Sequence, residues 1–115
     1  MPVVFVIALD WTIRTAVRAQ LREMGVEALG MDSADEADRA IASGGLPNVV
    51  VLEATMELLG NPRIQNLVQQ VPAVLIASRT VKVSLPNGPA ILYRPVRVAE
   101  IVARVSELLG RDLAT

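Results

Sequence analysis

The stretch NVVVLEATMELLG, residues 48–60, decides how the rest of the chain is to be read. Val49, Val50, Val51 and Leu52 form an apolar run with no polar residue at either parity, as expected of a strand buried on both faces. Glu53 stands where that strand emerges. A carboxylate at such an edge is either part of a site or a relic of one. The loop that follows leads to Asn61, which can cap a helix whose first residue is Pro62 and whose inner face holds Ile64, Leu67 and Val68.

The same grammar repeats on both sides. Val3 to Leu9 is a second apolar run, followed by Asp10 and a helical pattern with Ile13, Ala16, Val17, Leu21 and Met24 on one face, stopped by Gly25. A short strand over Val26 to Met31 leads to Ser33, which with Glu36 makes a capping-box pattern before a helix burying Ala37, Ala40 and Ile41. Gly44 and Gly45 end that helix. Val71 to Ala77 and Ile91 to Val96 are further strands, and the last helix turns Val98, Ile101, Val102, Val105, Leu108 and Leu109 inward. Strands and helices alternate, and the strands are too apolar to have a wet face. The expected fold is therefore α/β, a doubly wound five-stranded parallel sheet of order 2-1-3-4-5 in one domain over residues 1–110, with a C-terminal tail at 111–115.

One segment departs from the alternation. SRTVKVSLPNGP, residues 78–89, is too short for a normal helix, and Val81, Val83 and Leu85 alternate as in an edge strand. The fourth helix of the layout is expected to be shortened or lost. The VKVSL edge could pair with a partner strand, or the segment could fold back as a plain loop.

Composition removes many functions. The chain of 115 residues has no cysteine and no histidine, which excludes disulfides, thiolate chemistry, imidazole acid–base catalysis and ordinary zinc sites. A net charge of −1 offers no general attraction to nucleic acid or to an anionic membrane. The opening MPVVFVIALDW lacks a basic leader region, and no apolar stretch approaches the roughly 18 residues of a membrane span. A cytoplasmic protein without cofactors is expected. The turn after the first strand, ALDWTIRT, contains no glycine, and neither GxGxxG nor GxxxxGK[ST] occurs, so a phosphate-cradling dinucleotide or nucleotide site is not expected.

In an open sheet of this type, ligands gather outside the carboxyl ends of the strands, between strands 1 and 3. Asp10 and Glu53 fall there. FVIALDWTIR at residues 5–14, NVVVLEA at 48–54 and ILYRPV at 91–96 resemble the response-regulator receiver domain, and the resemblance covers nearly the whole chain. It implies a magnesium-binding acidic pair after strand 1, a phosphoryl-accepting aspartate after strand 3, a hydroxyl on strand 4, and a Lys-Pro pair with a switching aromatic on strand 5. Carried over by position, the acidic pair falls on Ala8 and Leu9, the phosphoacceptor on Glu53, the hydroxyl on Ala77, the lysine on Arg94 before Pro95, and the aromatic on Ile91. The framework matches and the reaction centre does not.

The consequence is physical. Phosphoryl transfer to a carboxylate needs charge neutralisation, usually by a metal among several oxygens, and Ala8 and Leu9 supply none from their side chains. Glu also sets its carboxylate about 1.5 Å beyond that of Asp, and a misplacement of roughly 1 Å can lower a rate about 100-fold. Magnesium is not expected, nor is enzymatic activity. The expectation is a degenerate, phosphorylation-independent pseudo-receiver that binds a protein partner or a second copy of itself, with an atypical working receiver at Glu53 as the alternative.

Glu53 is expected to pair with Arg94, whose planar fork can hold a carboxylate bidentately, or else to be simply solvated. Candidate docking residues are Trp11, which either packs over the loop or anchors a partner, and Arg14, Arg18 and Arg22. These arginines recur at i, i+4, i+8 on the first helix as a stripe that is either solvated or matched to an acidic partner. Only RDLAT follows Gly110 in this sequence, and a stand-alone adaptor and a domain of a longer regulator are both open expectations.

Overall fold

The computed structural model describes residues 1–80, 82–83 and 89–110. Its strands are β1 (Val3–Ile7), β2 (Glu27–Met31), β3 (Val49–Glu53), β4 (Ala73–Ala77) and β5 (Ala90–Tyr93). They pair in parallel in the order β2-β1-β3-β4-β5, as the apolar runs and the alternation require. The helices are α1 (Trp11–Glu23), α2 (Ala34–Gly44), α3 (Met56–Leu59), α4 (Pro62–Gln70) and α5 (Val98–Leu108).

Because successive strand residues point to opposite faces, a strand buried on both sides feeds two cores. Phe5, Ile7, Val50, Leu52 and Leu75 pack beneath α2, α3 and α4. Val4, Val6, Val49, Val51, Val74 and Ile76 pack beneath α1 and α5. The central strands are thus apolar at every position, and the chain changes character only at their carboxyl ends. Glu53 is the first side chain of β3 to leave the core.

Local signals set the helix ends. Asp10 Oδ1 accepts from the N–H groups of Thr12 and Ile13 at 2.9 and 3.4 Å, capping α1. At the other end Gly25 adopts φ 82°, its N–H bonds the Arg22 carbonyl, and the Val26 N–H bonds the Leu21 carbonyl. That pair of bonds is a Schellman stop, which needs a left-handed residue and so favours glycine. Ser33 Oγ accepts from the Glu36 N–H, while Glu36 Oε1 reaches back to the N–H of Asp32 rather than to that of Ser33. Asn61 Oδ1 caps α4 through the N–H groups of Arg63 and Ile64.

Several expectations need correcting. The loop expected after Glu53 contains the single turn α3, capped by Thr55 Oγ1 accepting from the Leu58 N–H at 3.1 Å. β4 begins at Ala73, not Val71, because Val71 still bonds the Leu67 carbonyl of α4 and Pro72 has no N–H to give a ladder. β5 stops at Tyr93 rather than Val96, ahead of Pro95, and the Arg94–Pro95 peptide bond is cis.

Among the described residues no helix connects β4 to β5. Val83 lies outside any strand and packs against the core on the α2 side, in keeping with the loop alternative at this position rather than the edge strand. Val81 and Leu85 of that expected strand lie outside the described residues, as does the tail at 111–115. No described helix is long and apolar enough to cross a membrane.

Candidate functional site

Three chain segments meet at the carboxyl edge of the sheet: the β1–α1 turn, the end of β3 and the end of β5. Glu53 sits between them with its side chain only 12% exposed. Its Oε1 accepts from the N–H groups of Leu9 and Asp10 at 2.7 and 3.0 Å. Its Oε2 accepts from Arg94 Nη2 at 2.8 Å. Both oxygens are engaged, so the carboxylate ties β3 to the turn after β1 and to the end of β5.

The arginine fork is divided rather than bidentate. While Nη2 of Arg94 holds Glu53, Nη1 lies 3.9 Å from Asp10 Oδ2. Glu53 cannot present both oxygens to one guanidinium because the two backbone donors of the β1–α1 turn already claim Oε1. Arg94 itself is 38% exposed, which screens its charge and limits what the pair contributes.

The remaining positions carried over by resemblance divide between core and surface. Ala8 and Ala77 are buried, Ala77 in the core on the α2 side, whereas Leu9 is partly exposed beside the turn. Ile91 is half-buried and packs against that same core, which gives it neither the ring nor the hydroxyl of a switching aromatic. Two hydroxyl residues not foreseen from the sequence line the site instead. Thr55 and Ser78 border an open cleft of about 300 Å³ together with Asp10, Glu53, Ala54, Ile76 and Arg94. Ser78 directly follows Ala77, so reading one residue past the apolar run of β4 would have found it.

This donor set does not fit a magnesium ion. Mg²⁺ favours near-octahedral oxygen coordination with one or two carboxylates free to bind it. Asp10 Oδ1 caps α1, Asp10 Oδ2 faces Arg94, and the oxygens of Glu53 are bound as described. Among the described residues no three acidic side chains converge.

The candidate docking residues behave differently from one another. Trp11 is 67% exposed and so does not pack over the loop. With Leu9 and Met56, also exposed, it leaves apolar surface on the segments that frame Glu53. The arginine stripe is only partly solvated: Arg14 and Arg18 are half-buried and Arg22 is exposed. Arg14 Nη1 donates to the Ala8 carbonyl at 2.6 Å and Arg22 Nη2 to the Ala28 carbonyl at 3.2 Å, so the stripe is fastened over β1 and β2.

Gly30 makes that placement possible. A Cβ at position 30 would lie 2.5 Å from Arg18 Cδ and 3.0 Å from Arg14 Cγ. Glycine inside a strand often marks such a close approach. Gly30→Ala is expected to lower stability by about 0.5–1.5 kcal/mol, since the atoms in the way belong to arginine stems that can turn off their rotamers, whereas Gly44→Ala, where an added Cβ meets nothing within 4 Å, should change it little. Urea unfolding of both variants checks this, and Arg18→Ala should relieve the Gly30→Ala defect because it removes the clashing atom.

The sequence matches no protein-family model, and it matches no curated protein sequence. The fold, however, is that of solved receiver domains. A response regulator receiver protein from Burkholderia phymatum superposes with a TM-score of 0.75 at 22% identity, over 97% of this chain and 98% of its own. The receiver domain of Francisella response regulator 1452 gives 0.72 at 19% identity, over 96% and 98% of the two chains. NtrX from Brucella abortus gives 0.75 at 19% identity, with this chain spanning 26% of it.

Proposed function

We propose, from the receiver fold as premise, that this chain is a pseudo-receiver: a phosphorylation-independent signalling module that binds a protein partner or a second copy of itself. The observation that carries the reading is the engagement of both Glu53 oxygens, one by two backbone N–H groups and the other by Arg94. A nucleophilic carboxylate must offer an unencumbered oxygen beside a neutralising cation. Here the cation is the protein's own guanidinium, and it holds the carboxylate in place. With Ala77 and Ile91 at the positions that would respond to a phosphoryl group, the site favours one fixed arrangement of the three strand ends.

The reading is tested by amide-resolved NMR with magnesium and then beryllofluoride, a phosphoryl mimic that requires an assembled receiver site. The spectrum is expected to stay unmoved at millimolar magnesium. Shifts clustered at residues 8–10, 53–55 and 77–79 would instead establish a working receiver at Glu53. The surfaces available to a protein partner are the apolar residues Leu9, Trp11 and Met56 around the closed site, and the arginine-bearing flank of α1. Nucleic acid, membrane and cofactor have no part in the proposal.

A further inference from the structure

We propose that Arg14, Arg18 and Arg22 form a docking comb for an acidic helix of a partner protein, on the flank of α1 that overhangs β2. The inference rests on the reading of the chain as a binding module and identifies one of its surfaces.

The comb is built rather than incidental. Four residues of helix rise about 6 Å, so the three guanidinium groups form a row about 12 Å long. The outer two are fastened to the Ala8 and Ala28 carbonyls, which use one nitrogen of each fork and leave the others free. A tethered arginine loses less side-chain freedom on docking than a loose one. The central Arg18 lies over Gly30, and its Nε is buried without a hydrogen-bond partner.

Among the described residues no carboxylate forms an ion pair with the comb. The ion pairs among the described residues involve Arg63, Arg94 and Arg104, and none of the three comb residues. Arg63, by contrast, bridges Asp35 and Asp38 at 2.8 and 2.7 Å across α2 and α4, while Arg39, Arg79 and Arg97 share the comb's lack of an ion pair among the described residues. Burial, and after it the neighbouring Arg22 and Arg14 cations, pull the Arg18 guanidinium below the usual arginine range. Three like charges held in a row are relieved when carboxylates arrive from outside.

A helix bearing glutamates at i, i+4 and i+8 repeats the same 6 Å step and can set one carboxylate against each arginine. A single phosphate could answer only part of a row this long.

The test is an NMR titration of the ¹⁵N-labelled whole chain with a synthetic helical peptide carrying glutamates at i, i+4 and i+8. A glutamine version of the peptide and inorganic phosphate serve as separate arms. Shifts are expected at residues 11–23 and 28–31, weakening at least tenfold in Arg18→Met and falling further as salt rises. Methionine keeps the stem over Gly30, so the fold persists, and Arg22→Gln provides a second loss of charge at a more exposed position. Absence of shifts, equal binding of the glutamine peptide, unchanged affinity in both variants, or phosphate binding as tightly at the same residues would each overturn the proposal. A silent peptide with a silent beryllofluoride titration would remove the comb and leave the module reading standing. A beryllofluoride response would remove the module reading whatever the peptide does.

Discussion

Leu52→Ala should lower the unfolding free energy by about 3 kcal/mol, within the roughly 2–5 kcal/mol seen when a buried leucine is cut back. Leu52 has no exposed surface and stands in register between Ile7 of β1 and Leu75 of β4. The sheet backbone on both sides cannot easily close over the vacated space. A domain of this size is stable by about 5–15 kcal/mol, so one substitution removes a large part of that margin. Urea denaturation should show a lower midpoint with an unchanged slope. A loss under about 1 kcal/mol would mean that the core beneath α2 and α4 collapses into the gap.

Removing the carboxylate of Glu53 is the second large effect, and it separates the two backbone bonds of Oε1 from the Arg94 bond of Oε2. In Glu53→Ala the N–H groups of Leu9 and Asp10 and the guanidinium of Arg94 all lose their acceptor. The expected loss is about 2 kcal/mol, since charge-assisted hydrogen bonds are the stronger kind but this edge is partly open to water. Glu53→Gln keeps an oxygen for the two backbone donors but sets an amide NH2 where Oε2 accepted from Arg94, so the charge and the hydrogen bond to the guanidinium are both given up while the β1–α1 turn stays held. It should lose about 1 kcal/mol or less, because Arg94 is partly exposed.

Amide exchange provides the local readout. The Leu9 and Asp10 amides should exchange much faster in Glu53→Ala and only slightly faster in Glu53→Gln. A double-mutant cycle with Arg94→Met isolates the pair, and a coupling indistinguishable from zero would show that the guanidinium contributes nothing to holding the site closed. Equal protection of the two amides in wild type and Glu53→Ala would show that the turn after β1 is held by other contacts.

Leu9, Asp10 and Glu53 also show how far spacing alone can be read. The end of an apolar run locates a strand's carboxyl edge, and the strand order brings Asp10, Glu53 and Arg94 to one place. The choice of Leu9 and Asp10 N–H groups as partners depends on distances of a few tenths of an ångström, which no residue pattern encodes. Thr55 carried a recognisable cap signal for α3, but a single turn has no periodicity to support it. The arginine stripe was visible as a period of four. Its attachment to the Ala8 and Ala28 carbonyls was not, and the one hint was a glycine at position 30 inside a strand.

The sequence alone carried the alternation of strands and helices apart from α3, the parallel sheet of order 2-1-3-4-5, the caps at Ser33 and Asn61, and the absence of thiol and imidazole chemistry. All of these follow from residue type and period, which act over a few neighbouring positions. Tertiary packing decided that Arg94 divides its fork between Glu53 and Asp10, and that Arg14 and Arg22 are fastened to the Ala8 and Ala28 carbonyls. Those outcomes depend on competition among donors and acceptors brought together from distant parts of the chain, and hydrogen-bond strength falls too steeply with distance and angle for spacing to predict the winner.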